Sequence, residues 1–512
     1  MSHKEGLEKK EGHEEKKGAL DRALKTAKTH WGIITILIVF IAWRLYFMTR
    51  NHDVIWDEAV YLGIGKFLWS AGGAGLWEII RPIGLPSLIG LPWKLGLDQI
   101  FWAEIIAIAF SSGCVFLTYR LGAKMHSKTA GAIAAMILAT APTFFLYSGY
   151  VLTDIPSTFF LLLALNLFYD KKIAWSGLAA GLAFMTRFPH GLALAALGGT
   201  LGIYYLLDRK SSERFDRMWK FLAAFSILPA LYMIANWFLY HNETSKTWHA
   251  LFRPWILASW HAGNPSEGAE SALFYFKGIL GEDFLMWLAA LGLIWFLLKK
   301  EYEEQEKAAP WIVLIVYLLY FSSILNKQMR FAMPMLPLLS IFGAVGLVET
   351  IEWIGYTPER KRQLRAFALA AVIACLALFL YPEDQKYYGW RFEQPQPIVR
   401  EVYKYFDSND VKGVVLTADP LVAAYSSGYF EPFYFSVDST AAIYDQTIGS
   451  AWGVLYVPEA FWCGADDKTC KDGLTALESK IKRDNELVLE KKYGREDTGF
   501  RTYQIWKKKK TQ

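Results

Sequence analysis

Stretches of about 20 mostly apolar residues recur from Trp31 to Tyr381, and that is the length an α-helix needs to cross the hydrocarbon core of a bilayer. Eleven such spans are predicted, at 31–49, 100–119, 129–147, 155–169, 174–186, 191–207, 221–240, 284–298, 310–325, 331–348 and 366–381. The fifth and sixth are separated at Arg187, Phe188, Pro189 and His190, because a proline beside a charge breaks a helix in lipid. A chain that is 54% hydrophobic and only 20% charged, with 21 Trp, is neither an ordinary soluble globular protein nor a disordered one. The formal net charge of +5 over 512 residues gives no polycationic character of the kind that binds nucleic acid.

Lys and Arg are retained by short cytoplasmic loops, and they set the orientation. With the N-terminus inside, the short inner connections hold 17 Lys or Arg in 54 positions, whereas the outer ones hold 10 in 110. An odd number of spans then puts the C-terminus outside, where disulfides survive, so Cys463 and Cys470 are candidates to pair. Cys114 and Cys375 sit in apolar runs and read as packing residues. The Asn242, Glu243, Thr244 sequon falls on an outer loop. The expected location is a plasma membrane, crossed many times.

Three parts of the chain lie outside the bilayer. Residues 1–30 carry mixed charge with no apolar face and read as a cytosolic tail. The transmembrane region, 31–381, has two long outer loops, 50–99 and 241–283. From 382 to 512 the pattern changes: β-branched runs such as Val414 to Leu416 and Val454 to Val457 alternate with helical patterns near 397–406 and 473–484. This predicts a small α/β domain outside the membrane.

Ionisable residues at the membrane boundary are where chemistry is expected. The first outer loop is apolar enough to lie in the interface as short helices, which places Asp57 and Glu58 at the lipid boundary. Desolvation there would raise a carboxyl pKa towards that of a useful base, although a loop acid can equally face water. Arg81 and Pro82 head an apolar, proline-rich stretch ending at Pro92, where a guanidinium suits a lipid phosphate. Asp154 precedes Ile155 and Pro156 at a helix start and in isolation reads as an N-cap. Lys327 and Arg330 occupy a short outer turn against the positive-inside trend, as snorkelling anchors or as a phosphate site. His241, His249 and His261 lack compact ligand spacing, so no metal site is assigned; a divalent metal is left open and no cofactor is called for.

In their order along the chain these pieces resemble the GT-C glycosyltransferases. The set comprises an acidic pair after the first span, an Arg-Pro loop, Asp-x-Pro at the fourth span, the run Gly181 to Arg187, and Lys327-Gln-Met-Arg-Phe-Ala-Met-Pro-Met-Leu-Pro337. The likeness is closest to the branch of the protein O-mannosyltransferases and the lipid A aminoarabinose transferases, and covers roughly residues 31–350. It implies a mainly α, polytopic bundle of GT-C type. Residue by residue it implies an essential acid at Asp57 with Glu58 beside it, a second acid at Asp154, a carrier-phosphate contact at Arg81, and a cation before the aromatic-x-x-Pro segment at Arg330. Arg253 is the candidate for the basic residue of the long loop. The Trp-Trp-Asp-type motif of oligosaccharyltransferases is absent, which argues against transfer of a glycan block to asparagine.

The resemblance further implies a sugar donor on polyprenyl or dolichyl phosphate and a protein, glycan or lipid acceptor, with no nucleotide. Direct displacement at the anomeric carbon needs a base for the acceptor hydroxyl and positive charge at the departing phosphate. Asp57 is the expected base, with Asp154 to position its neighbours or the acceptor or to serve as the base instead, and Arg81, Lys327 and Arg330 are the phosphate contacts. One base without a second nucleophile predicts inversion. Two other classes are weighed: a transporter or flippase of lipid-linked sugars, which would bury charge at mid-membrane in two related halves, and a membrane scaffold whose outer domain binds a partner. The transferase reading requires Asp57, Arg81 and Arg330 to converge.

Overall fold

The structure, a computed structural model, describes residues 30–48, 54–241, 247–263, 271–282, 287–355, 358–360, 363, 400–409, 411, 413–434, 437–461, 463, 467–495 and 499–509. Most of the N-terminal tail, the sequon at Asn242 and the eleventh expected span lie outside these residues.

Helices fill the first part of the chain, and each of the ten other expected spans falls on helical structure. The first is α1 (His30–Met48). Next come α2 (Trp56–Trp69), α3 (Gly84–Lys94), α4 (Gln99–Met125), α5 (Lys128–Thr140), α6 (Pro142–Tyr147), α7 (Asp154–Tyr169) and α8 (Ile173–Thr186). They are followed by α9 (Gly199–Leu207), α10 (Ser212–Tyr240), α11 (Thr247–Gly263), α12 (Phe274–Glu282), α13 (Ala289–Leu298), α14 (Gln305–Ser323) and α15 (Leu336–Ile354). Among the described residues five helices are long and apolar enough to cross a membrane unaided: α1, α4, the segment Phe188–Leu207, α10 and α15. The protein is therefore a multi-pass membrane protein. At 1.5 Å per residue, helices as short as α5, α7 and α8 fall short of a bilayer core. They cross, if at all, as inner members of the bundle, and α7 and α8 are accordingly largely buried.

The break expected at Pro189 is present. Helix α8 ends at Thr186, Arg187 is extended (φ −154°, ψ 117°), and a 3-10 turn spans Phe188–Gly191. Proline at the second position of that turn removes the amide that would continue α8.

Beyond the bundle, α16 (Arg400–Ser408), α17 (Leu421–Tyr425), α18 (Val437–Thr447) and α19 (Lys468–Asp484) surround a six-stranded sheet. Its strands are β1 (Gly75–Leu76), β2 (Val414–Thr417), β3 (Tyr429–Pro432), β4 (Gly453–Tyr456), β5 (Asn485–Arg495) and β6 (Gly499–Lys508). The spatial order is β1-β3-β2-β4-β6-β5, with the first four parallel and β6 and β5 antiparallel. The entirely buried β4 is what a parallel strand covered on both faces requires. Cys463 and Cys470 are joined in a disulfide.

The expected boundary at 382 does not divide the cores. Strand β1 comes from the first outer loop, and Val60, Ile64 and Leu76 pack in one cluster with Leu416, Phe430 and Val454. Hydropathy alone could not show this, because a two-residue strand carries no alternation. The ammonium of Lys66, 3% exposed, donates to the carbonyls of Ala424 (3.0 Å) and Ser426 (2.9 Å), pinning α2 to the sheet domain. Helices α2 and α3 cross at Gly65 and Gly90, where a Cβ added to Gly90 would sit 2.3 Å from the Gly65 carbonyl oxygen.

Gly90→Ala is therefore expected to push α2 and α3 apart, a loss of about 1–3 kcal/mol from overpacking. A fall in the apparent melting temperature of the purified protein would register it; an unchanged melting curve would show that the crossing is loose.

Candidate active site at the outer loop

Helix α2 begins with three residues that set the site. Glu58, at the third helical position, reaches back so that Oε2 accepts the Ile55 amide (2.9 Å), the acidic half of a capping box. Its Oε1 accepts the amide of Val151 (2.7 Å), and the side chain is buried. Glu58 thus ties the start of α2 to the loop before α7, with both oxygens held by backbone amides. Asp57, one residue earlier, leaves the helix in a different direction, about 100° around the axis.

The carboxylate of Asp57 lies between two guanidiniums. Oδ1 accepts from Arg81 Nη2 (2.8 Å) and Oδ2 from Arg330 Nη1 (2.6 Å). These three residues come from α2, the loop after β1 and the 3-10 turn Met329–Ala332, so the convergence expected from sequence is observed. Burial by itself would push the Asp57 carboxyl up, but the charges of Arg81 and Arg330 and their hydrogen bonds outweigh it and hold it down at about 2. The raised pKa anticipated for this residue is thereby corrected: the partners were invisible in the local sequence.

Arg81 is held from behind. Its Nε donates to Glu78 Oε2 (3.0 Å), and its guanidinium lies 5.6 Å from the centre of the Tyr61 ring. The other oxygen of Glu78 accepts from the hydroxyl of Tyr434, which belongs to the outer domain and packs edge-on against Trp56 with centroids 4.8 Å apart. Tyr61 in turn shares a hydrogen bond with Thr153 (3.2 Å), immediately before α7.

Asp154 is not an N-cap. It is the first residue of α7, Thr153 takes the cap position, and the Asp154 carboxylate pairs with Arg187. The break after α8 is what frees Arg187 to turn inward. Gly84 lets α3 start tightly against the end of α8, where a Cβ would lie 2.7 Å from the Met185 carbonyl oxygen, and this sets the Arg81 loop beside Arg187. Arg187 and Arg330 stand over the same Phe331 ring, 4.8 and 5.6 Å from its centre. Nearby His190 is buried and hydrogen-bonded at both ring nitrogens, to Ser157 and to Tyr317, 3.0 Å each.

The other candidates go elsewhere. Lys327 directs its ammonium to the carbonyl of Ile324 (2.5 Å), and Arg253 stacks over Tyr240, 5.5 Å from the ring centre. His241 hydrogen-bonds the Trp237 carbonyl, His249 packs on Trp248, and the side chain of His261 lies outside the described residues. Sequence reading did not select Arg187 or Glu78 as site residues. The signal for Arg187 was its place beside Pro189 in the helix break; Glu78 carried none. The cluster of Asp57, Asp154 and Glu78 with Arg81, Arg187 and Arg330 balances in charge. An apolar groove of about 560 Å³ runs along α3 and α4, lined by Leu88, Leu91, Pro92, Trp102 and Phe159 among others. Among the described residues, the group compact enough to hold a metal ion is His126, Glu349 and Glu352, at the far end of α15.

Residues 81–238 match the family model described as dolichyl-phosphate-mannose-protein mannosyltransferase. An uncharacterized protein of Aquifex aeolicus (strain VF5) is 25% identical over 372 residues, which is 68% of this chain and 69% of that protein. ArnT from Cupriavidus metallidurans bound to undecaprenyl phosphate superposes with a TM-score of 0.59 at 13% identity, covering 94% of this chain and 98% of that one. The archaeal oligosaccharyltransferase AglB from Archaeoglobus fulgidus, in complex with an inhibitory peptide and a dolichol-phosphate, gives 0.56 at 11% identity, covering 94% and 75%. At such identities these two structures speak to the fold.

Because the Asp57 pKa is lower in the fold than its ordinary value of 3.8, its pairing adds stability that is complete above about pH 4 and disappears as pH falls towards 2. The stability difference between the wild type and Asp57→Asn should stay flat from about pH 5 to 8 and narrow below about 4. Thermal unfolding across that range measures it, and a difference that titrates near 6 would contradict the double pairing.

Proposed function

We propose that this protein, which has the GT-C fold and resembles its mannosyltransferase and aminoarabinose-transferase branch, transfers a sugar from a polyprenyl- or dolichyl-phosphate donor to an acceptor hydroxyl. The observation that carries this is Asp57 shared between Arg81 and Arg330 at the mouth of the bundle: a carboxylate held where an anion-binding pair of guanidiniums would receive a phosphate. The transfer takes place on the side of the membrane that carries the outer domain. The disulfide and the Lys and Arg bias support that side being extracytoplasmic.

Charge balance supplies the mechanism. Without donor the cluster is neutral, and Asp57 is a poor base because two cations stabilise its anion. The phosphodiester of a lipid-phosphate sugar entering between Arg81 and Arg330 would take over their hydrogen bonds and add negative charge. Asp57, released from both partners and next to a phosphate, then has a higher proton affinity. It accepts the proton of the acceptor hydroxyl while that oxygen bonds to the anomeric carbon. The carbon–phosphate-oxygen bond breaks with its electron pair leaving on the lipid phosphate, which the guanidiniums stabilise. A single displacement of this kind inverts the anomeric centre. Donor binding thus turns the base on, which would limit loss of activated sugar to water.

Other residues have supporting roles in this reading. Glu58 positions α2 in this reading, its two oxygens accepting the backbone amides of Ile55 and Val151, which donor binding would not displace. Asp154 with Arg187 forms the opposite wall and orients the acceptor or the sugar. The isoprenoid tail follows the apolar groove along α3. Tyr434, reaching Glu78 from the outer domain, ties acceptor recognition by that domain to the position of Arg81.

Asp57→Asn should reduce transfer by about 10²–10⁴-fold while lipid-phosphate binding is kept or strengthened, because the competing carboxylate is gone. Arg81→Ala and Arg330→Ala should instead weaken donor binding by at least tenfold. Incubation of the purified protein with radiolabelled polyprenyl-phosphate sugars and a membrane extract tests all three; full transfer by Asp57→Asn would remove it from the base role.

A further inference from the structure

We propose that His126, Glu349 and Glu352 form a binding site for a divalent ion of the zinc class, at the end of the bundle opposite Asp57. The residues lie where α4 ends and along the last turns of α15. Glu349 is 13 residues beyond Leu336, about 20 Å along the helix axis, so this site is remote from the transfer chemistry. One ligand atom from each residue lies within 4.8 Å of the others, and His126 Nε2 is 3.0 Å from Glu349 Oε1.

Three features go beyond proximity. Glu349 and Glu352 are three residues apart on one helix and so share a face, which makes them a natural chelate, while the histidine arrives from a second helix. His126 Nδ1 is hydrogen-bonded to Ser127 Oγ (3.0 Å). Without metal, Nε2–H donates to Glu349 and the Ser127 hydroxyl donates to Nδ1; a metal ion bound at Nε2 displaces that proton, and Nδ1–H then donates to Ser127 Oγ, the kind of second-sphere hydrogen bond that orients metal-bound histidines. An imidazole with two carboxylates suits zinc or cobalt better than calcium or magnesium, which prefer all-oxygen shells.

Lys299 provides the contrast with a plain ion-pair brace. Its ammonium donates to Glu349 Oε1 (2.5 Å), yet its side chain is 45% exposed against 9% for Glu349. It can swing into solvent when a metal ion takes the carboxylate; His126 and Glu349 are already 3.0 Å apart, inside the roughly 3.4 Å between ligands around a tetrahedral ion, which leaves the Glu352 side chain to close in. In a brace Lys299 holds the cluster; in a metal site it competes for it.

The full chain in detergent, stripped with a chelator, would be titrated with Co²⁺ and followed by visible absorption, then displaced with Zn²⁺. One Co²⁺ per chain is expected, weakened at least tenfold in His126→Ala and in Glu352→Gln, unchanged when His241 and His249 are replaced together, and tightened severalfold in Lys299→Ala. The proposal is overturned by the absence of bound Co²⁺, by unaltered binding in both His126→Ala and Glu352→Gln, or by weaker binding in Lys299→Ala. Glu352→Gln lies at the half-buried rim and serves if the histidine variant does not fold. None of these readouts depends on sugar transfer.

Discussion

One carboxylate shared by two guanidiniums organises the end of the helical bundle that meets the sheet domain. Asp57 and Arg330 are 273 residues apart in the chain, and Arg81 comes from a loop between them. Each pairing has an exposed rim, with side chains 15–21% accessible, so neither contributes much alone. Together they fix the first outer loop against the turn before α15. Remove the carboxylate and two cations face each other across the same space, which is why the acid is as much a structural clasp as a chemical group.

The clasp is supported from outside the bundle. The outer domain supplies β3 as the partner of β1, the Ala424 and Ser426 carbonyls for Lys66, and Tyr434 for Glu78. The first outer loop therefore belongs to two cores at once: its strand and one face of α2 pack with the sheet, and another face of α2 packs against Leu85, Ile89 and Val151. A movement of the sheet domain would reach Arg81 through two successive hydrogen bonds, Tyr434 to Glu78 and Glu78 to Arg81.

The spans were legible because hydrocarbon imposes a length and a composition on any helix that crosses it, and those survive in a single sequence. The break at Pro189, the strands at Val414 and Val454, and the pairing of Cys463 with Cys470 were legible for similar local reasons. The site was legible in part. Asp57, Arg81 and Arg330 stood out as charges at the edges of apolar segments, and they converge. The same argument selected Lys327, whose ammonium meets the Ile324 carbonyl, while the family resemblance pointed to Arg253, which stacks on Tyr240, and to Glu58, whose oxygens meet the Ile55 and Val151 amides. Asp154 looked like a cap until Arg187, 33 residues later, proved to be its partner.

Sequence by itself determined that this chain is a helical membrane protein with an α/β segment after the spans and ionisable residues at the edges of its apolar segments, because the bilayer acts on every residue of a segment in the same way. Only the tertiary structure decided which charge meets which. An ion pair depends on directions and on a few ångströms, and those emerge when segments distant in the chain, such as α2, the Arg81 loop and the turn at Arg330, are packed into one place.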